Sequence, residues 1–152
     1  MKAIVLAAGF GTRLRPLTLE RGKAAVPVAG RPAAVWALES LARAGILHVA
    51  VNLHFLAESV KAALEPHRPS GVQLTWSPEP EEILGTAGGI RRAAALLGAT
   101  HVVVANGDVI CDLECASLLA HHERTGADAT LALVQRLDHA SYGTVLLGPD
   151  GD

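Results

Sequence analysis

Aromatic side chains are scarce: two Phe, two Trp and one Tyr make up 3% of the 152 residues. The core must therefore be built from Ala, Leu and Val. Cysteine is nearly absent. Cys111 and Cys115 are too few for a disulfide scaffold and are expected to be free thiols of a reducing cytoplasm. They lie four apart, with His121 and His122 further along, whereas a structural zinc site usually draws four ligands at tighter spacing. No apolar run approaches the roughly 20 residues of a membrane span, so no membrane partner is expected. The N-terminus enters a strand directly, which argues against a signal peptide. Basic runs are missing too. The net charge is −2, which argues against a nucleic-acid surface and leaves room for a small local cation cluster. Repeats, low-complexity segments and linkers are not found. What remains is a chain half hydrophobic and 18% charged, rich enough in apolar residues for a sizeable core and of a length that fits one domain.

Strand-like and helix-like runs alternate, the pattern of an α/β domain with a mostly parallel sheet. Ala3 to Leu6 reads as a buried parallel strand. Pro32 to Ala44 reads as a helix, with Pro32 in its first turn and Gly45 past its end. Ile46 to Leu53 is a second strand, Ala57 to Leu64 an amphipathic helix ended by Pro66, and Val72 to Trp76 a third strand. An acidic, proline-broken loop, Ser77 to Glu82, follows. Its Glu79, Glu81 and Glu82 read mostly as solvated, with ribose or sugar hydroxyls as the alternative contact. Thr86 to Leu97 is a helix that Thr86 is placed to cap. His101 to Ala105, the most apolar strand, is expected at the centre of the sheet. Asp112 is placed to cap a helix running to Thr125. Ala129 to Val134 and Tyr142 to Leu147 read as further strands, the last followed by a turn at 148–151.

The densest chemistry lies just after the first strand, in Leu6-Ala7-Ala8-Gly9-Phe10-Gly11-Thr12-Arg13-Leu14-Arg15-Pro16-Leu17-Thr18. Small residues there let a polyanion or a flat base approach the backbone. Backbone donors at Gly9 and Gly11, the Thr12 hydroxyl and the Arg13 and Arg15 cations suit a triphosphate. Two common phosphate motifs are excluded. A dinucleotide fingerprint needs a third glycine where Leu14 stands, and an acidic residue where the second strand ends in Asn52. A Walker A loop would need Ser or Thr after Gly22-Lys23, where Ala24 stands, and glycine at Leu17.

The stretch resembles the signature of the sugar-1-phosphate nucleotidylyltransferases, roughly L-A-A-G-x-G-T-R-L-x-P-L-T, matched completely from Leu6 to Thr18. A Pro-Lys-Pro segment comes next in that family. Here it reads Gly22-Lys23-Ala24, with the lysine kept and both prolines missing, which predicts a looser lysine loop. The resemblance implies a three-layer, Rossmann-like α/β sandwich with a mostly parallel central sheet. It also implies transfer of a nucleotidyl group from a nucleoside triphosphate to a sugar 1-phosphate, with Mg²⁺. By the same resemblance, Leu6, Ala8, Gly9, Gly11, Thr12, Arg13, Gly85, Thr86 and Gly88 fall on the nucleotide. Arg13 and Lys23 serve the phosphates, and Arg15 ranks below them as a structural neighbour. Asn106 and Gly143, the latter in a Tyr142-Gly143 pair, face the sugar. Asp108, in a Gly107-Asp108 element at the end of a strand, holds the metal. Taken alone, each has a plainer reading: Arg13 and Lys23 as solvated cations, Asp108 as a turn aspartate, Thr86 as a helix cap. His54 reads as a loop or capping residue, and His121-His122 as an exposed helix pair.

The family's sugar-phosphate lysine and second metal-binding aspartate have no counterpart up to Asp152, and the terminal Asp150 and Asp152 are not nominated. Residues 1–152 are therefore expected to be the N-terminal portion of a catalytic domain, able to bind a triphosphate and inactive alone. A homo-oligomer is compatible with this reading. Mannose-1-phosphate guanylyl transfer is favoured over uridylyl transfer to a hexose or N-acetylamino-sugar 1-phosphate. A non-catalytic nucleotide-sugar-sensing domain of the same fold is the reading from another class.

Overall fold

In the computed structural model, residues 1–134, 145 and 148 are described. The elements run β1 (Lys2–Leu6), β2 (Pro27–Val28), β3 (Arg31–Pro32), α1 (Ala33–Arg43), β4 (His48–Leu53), α2 (Ala57–Leu64), β5 (Gln73–Pro78), α3 (Gly85–Leu97), β6 (Val102–Asn106) and α4 (Cys115–Thr125). Short 3₁₀ turns lie at Thr12–Leu14 and Lys23–Ala25. Met1–Ser117 forms one compact unit, and a second spans Leu118–Asp152.

The first unit holds a parallel sheet in the order β5-β4-β1-β6, and β2 and β3 form a separate antiparallel pair. Alternation along the strands sorts the two faces of this sheet. Ile4 of β1 and Ala50 of β4 pack with Ala93 of α3, flanked by Leu6, Ile90 and Leu97. Helix α1 supplies Val35, Leu38 and Leu41, and α2 supplies Val60 and Leu64, all buried. Gly45 ends α1 with φ +76°, and Ile46 N–H reaches back to the Leu41 carbonyl at 3.0 Å, a glycine-terminated helix end. The fold is the expected Rossmann-like α/β arrangement, helices flanking a parallel sheet.

The chain winds from β1 outward through β4 to β5, then returns across the sheet to place β6 on the other side of β1. The winding direction thus reverses between β1 and β6. Their carboxyl ends lie side by side, Leu6 in register with Asn106. In open α/β sheets such a reversal opens a crevice at the carboxyl edge.

Several sequence expectations change. β6 is an edge strand among the described residues, paired only with β1, and Val104 is 40% exposed. An apolar run reports the capacity for burial, while neighbours on both sides decide it. Ala129 to Val134 forms no strand among the described residues, because β-branched composition makes a strand only where a ladder partner is supplied. Helix α4 begins at Cys115, so Asp112 lies outside its cap. Thr86 does not cap α3, which starts one residue earlier at Gly85, with Leu84 before it. The expected strand Tyr142 to Leu147, the turn at 148–151, Gly143, Asp150 and Asp152 fall largely or wholly outside the described residues.

Candidate functional site

The loop after β1 is shaped by two of its own residues. Gly11 adopts φ 64°, ψ 27°, the left-handed region that glycine enters without steric cost. The Thr18 hydroxyl, 1% exposed, donates to the Gly11 carbonyl at 2.7 Å. A Cβ on Gly11 would lie 2.9 Å from Thr18 Cγ2 and 3.1 Å from Lys23 Cβ. The two ends of the signature thereby close on each other, and the stretch between them turns outward with Arg13 exposed in its 3₁₀ turn. Phe10 packs edge-on against His54 and tilted against Phe55, both at 5.5 Å between ring centroids.

The lysine loop is held firmly despite its missing prolines, which corrects the expected looseness. Gly22 N–H donates to Ser59 Oγ at 2.8 Å, and that hydroxyl donates to the Leu56 carbonyl at 2.7 Å. A Cβ at Gly22 would fall 2.4 Å from Val60 Cγ2, so only glycine lets the loop lie this close to α2. Ala24, Ala25 and Val26 are buried. The Lys23 side chain is left to reach over the sheet edge, where it forms an ion pair with Asp108. Asp108 is brought there by Gly107, whose N–H donates to the Leu6 carbonyl at 2.9 Å and whose missing Cβ would meet that same oxygen at 2.9 Å.

Two cavities open along this edge. One, of about 240 Å³, is lined by Leu6, Ala7, Ala8 and Gly9 of the first loop, by Lys23 and Ala24, by Asn52 and Ile83, by Gly85 and Thr86 at the start of α3, and by Asn106 and Asp108. The other, of about 330 Å³, is lined by Gly9, Phe10, Gly11, Thr12, Arg13, Lys23 and Ile83. Gly9, Lys23 and Ile83 border both. Of the residues singled out in the sequence, Leu6, Ala8, Gly9, Lys23, Gly85, Thr86, Asn106 and Asp108 meet at the first cavity, and Gly11, Thr12 and Arg13 at the second. Arg15 lines neither. Gly88 lines neither cavity, and a Cβ there would press on Leu84 at 2.8 Å.

Sequence reasoning missed the groups beneath the first cavity. Asn52 is 3% exposed and Glu79 2%. Asn52 Oδ1 accepts from Ala7 N–H at 2.7 Å, and its Nδ2 donates to Glu79 Oε1 at 2.9 Å. Glu79 Oε2 accepts from Leu84 N–H at 2.8 Å, and His54 Nδ1 lies 2.6 Å from the Glu79 carbonyl oxygen. Glu79 is thus no solvated loop residue. It lies at the start of α3, where the helix dipole favours a carboxylate. Glu81 and Glu82 are exposed as expected, and His54 orders a loop. The signal that could have exposed Glu79 is its company: of the three acids in the loop it alone stands between two prolines, directly past a strand.

Among the described residues, Asp108 is the only acidic side chain lining either cavity, and no group of three His, Cys, Asp or Glu residues could hold a metal. This donor set suits an ion bound through one carboxylate and the oxygens of a ligand, which is how Mg²⁺ is commonly held at phosphates. It does not suit an all-protein cage. No helix among the described residues is long and apolar enough to cross a membrane.

Comparison with known proteins agrees with this geometry. The family model described as nucleotidyl transferase matches residues 2–152. The N-acetylmuramate alpha-1-phosphate uridylyltransferase of Neisseria meningitidis serogroup B is 40% identical over 156 residues, covering 99% of this chain and 66% of that protein. The mannose-1-phosphate guanyltransferase of Schizosaccharomyces pombe is 36% identical over 155 residues, covering 100% of this chain and 42% of that protein. Thus the chain spans from about two fifths to just under two thirds of the length of these relatives. In fold it resembles a UDP-glucose pyrophosphorylase from Acinetobacter baumanii, with a TM-score of 0.72, 21% identity, and coverage of 83% of this chain and 53% of the other. On its signature, its sheet and these relatives, the chain belongs to the nucleotidyl transferase family, that of the sugar-1-phosphate nucleotidylyltransferases.

Proposed function

We propose that this chain binds a nucleoside triphosphate at the crevice between β1 and β6 and forms the nucleotide-binding part of a sugar-1-phosphate nucleotidylyltransferase. One observation carries the reading. The glycine loop, Lys23 and Asp108 come from three separate stretches of sequence and meet at one cavity on the carboxyl edge of the sheet. In the proposed reaction an oxygen of the sugar phosphate attacks the α-phosphorus of the triphosphate. The bond to the bridging oxygen breaks, and pyrophosphate leaves with the electron pair. Negative charge builds on the α-phosphoryl oxygens and on the leaving group. Lys23 and Arg13, on the loops that border the two cavities, stabilise that charge. The small residues Ala7, Ala8 and Gly9 leave room for the base and ribose against the backbone, and Asn106 faces the sugar. Asp108 would hold Mg²⁺, which when bound neutralises phosphate charge and orients the α-phosphate. The proposed place of work is the cytoplasm, where Cys111 and Cys115 stay reduced.

Two substrate pairs are favoured by the relatives. The guanyltransferases, 35–37% identical, point to GTP and mannose 1-phosphate. The relative at 40% identity points to UTP and an amino-sugar acid 1-phosphate. The test pairs calorimetry of this chain against a panel of triphosphates with pyrophosphate release by the protein at its full natural length. Triphosphate binding together with release from one substrate pair is expected, and that pair names the substrates. Binding without release from any pair supports the sensing domain instead. No binding of any triphosphate overturns the reading.

A further inference from the structure

We infer that Asn52 and Glu79 form a polarity-ordered relay that positions both walls of the first cavity. The inference deepens the function proposed above and rests on it. Ala7 belongs to the glycine loop, and Leu84 immediately precedes the Gly85-Thr86 wall. The two residues are far apart in sequence, yet their amides are joined through two buried side chains: Ala7 N–H to Asn52 Oδ1, Asn52 Nδ2 to Glu79 Oε1, and Leu84 N–H to Glu79 Oε2, at 2.7, 2.9 and 2.8 Å. Every link has one direction. The two backbone amides at the ends can only donate, so the two side chains between them must supply two more acceptor oxygens than donor groups, three against one. One amide and one carboxylate meet that condition. Helix α3 crosses the relay at Gly89, where a Cβ would lie 2.7 Å from Asn52 Nδ2 and 2.9 Å from Glu79 Oε1. The helix can lie against the relay only because that position has no side chain. Residues on β4 and after β5, outside the glycine loop, thus hold that loop at a set distance from the start of α3.

The direction of the bonds supplies a test that simple removal cannot. Glu79→Gln leaves a single acceptor oxygen facing two donors. Asn52→Asp sets a carboxylate against the carboxylate of Glu79. The double variant Asn52→Asp, Glu79→Gln exchanges the two roles. Aspartate then accepts from Ala7 N–H and from the glutamine amide, and the glutamine oxygen accepts from Leu84 N–H. Every group is paired again and the charge is unchanged. Triphosphate affinity is measured with Mg²⁺ well below the melting temperature of each variant, with amide exchange followed at Ala7 and Leu84. Each single change is expected to weaken binding by about tenfold or more, as for a buried polar group left unpaired. The double variant is expected to return to within about threefold of wild type, a coupling that independent sites do not show. Single variants that fail to fold beside a double variant that folds and binds support the relay equally. Singles that bind like wild type overturn it, as does a double variant no better than the weaker single. A shift in melting temperature with unchanged affinity of the folded protein reduces the pair to a structural role and also overturns it. Should wild type bind no triphosphate, the functional reading fails separately. The relay then stands or falls on whether amide protection at Ala7 and Leu84 is lost in the singles and regained in the double.

Discussion

Asp108 and Lys23 come from separate stretches of the chain and form an ion pair at the first cavity. Each is about a third exposed, so the pair contributes little to stability, as exposed ion pairs generally do. In the protein at its full natural length, Asp108→Asn is expected to remove Mg²⁺-dependent pyrophosphate release, and, the pair being so exposed, to leave the melting temperature nearly unchanged. Full activity with the same Mg²⁺ dependence would show that the carboxylate holds no metal. Arg13 is exposed on its 3₁₀ turn, and Arg13→Ala in the protein at its full natural length should lower turnover by about 10²–10³-fold, the cost of one lost donor to a developing anion. Steady-state kinetics check this, and an unchanged kcat would reduce Arg13 to a surface residue. The two thiols should also separate. Cys111 is exposed, whereas burial pushes the Cys115 thiol above its ordinary pKa. Because thiolate is the reactive form, mass spectrometry during alkylation near neutral pH should find Cys111 modified first, with Cys115 following as the pH is raised. Equal rates would contradict the burial. At this scale the glycine loop was legible, because its chemistry is local: Gly11 and Thr18 lie seven residues apart and close on each other. Asn52 and Glu79 were not, since no spacing rule joins a residue on one strand to a residue just past another.

The lysine loop shows how an element can keep its rigidity after losing the residues that usually confer it. Proline stiffens a chain by fixing φ and removing an N–H. Here Gly22 already has φ −61° and ψ 149°, a backbone that proline could adopt. Rigidity comes instead from the Gly22 bond to Ser59 and from contact with Val60. Restoring the family residue should therefore do harm. Gly22→Pro deletes the donor and drives ring atoms into Val60, an overpacking worth about 1–3 kcal/mol of lost stability. Denaturant unfolding measures it, and a variant as stable as wild type would contradict the account. Helix α2 matched its expected span, Ala57–Leu64, because its amphipathic period and the following Pro66 are both local signals. The start of α3 was misread. Thr86 looks like a cap, but the helix starts one residue earlier, at Gly85 with φ 69°, and the donor at Leu84 is satisfied by the Glu79 carboxylate, five residues back.

At the scale of the molecule, alternating strands and helices foretold a parallel sheet, but not the order of its strands. The reversal between β1 and β6 depends on which side of β1 the chain returns to, and no residue pattern encodes that choice. Its consequence is the crevice where the glycine loop, the lysine loop and Asp108 meet. Gly9 offers the most direct test of whether that crevice is the triphosphate site. It borders both cavities, its φ lies outside the left-handed range, and a Cβ there would meet nothing within 4 Å. Gly9→Val therefore fills ligand space from a Cβ that meets no protein atom. The measurement is calorimetric titration of wild type and Gly9→Val with the triphosphate that binds best, in Mg²⁺, beside their thermal unfolding. The predicted result is saturable binding by wild type, none by Gly9→Val, and the same melting temperature for both. Equal binding by the two proteins would contradict the account.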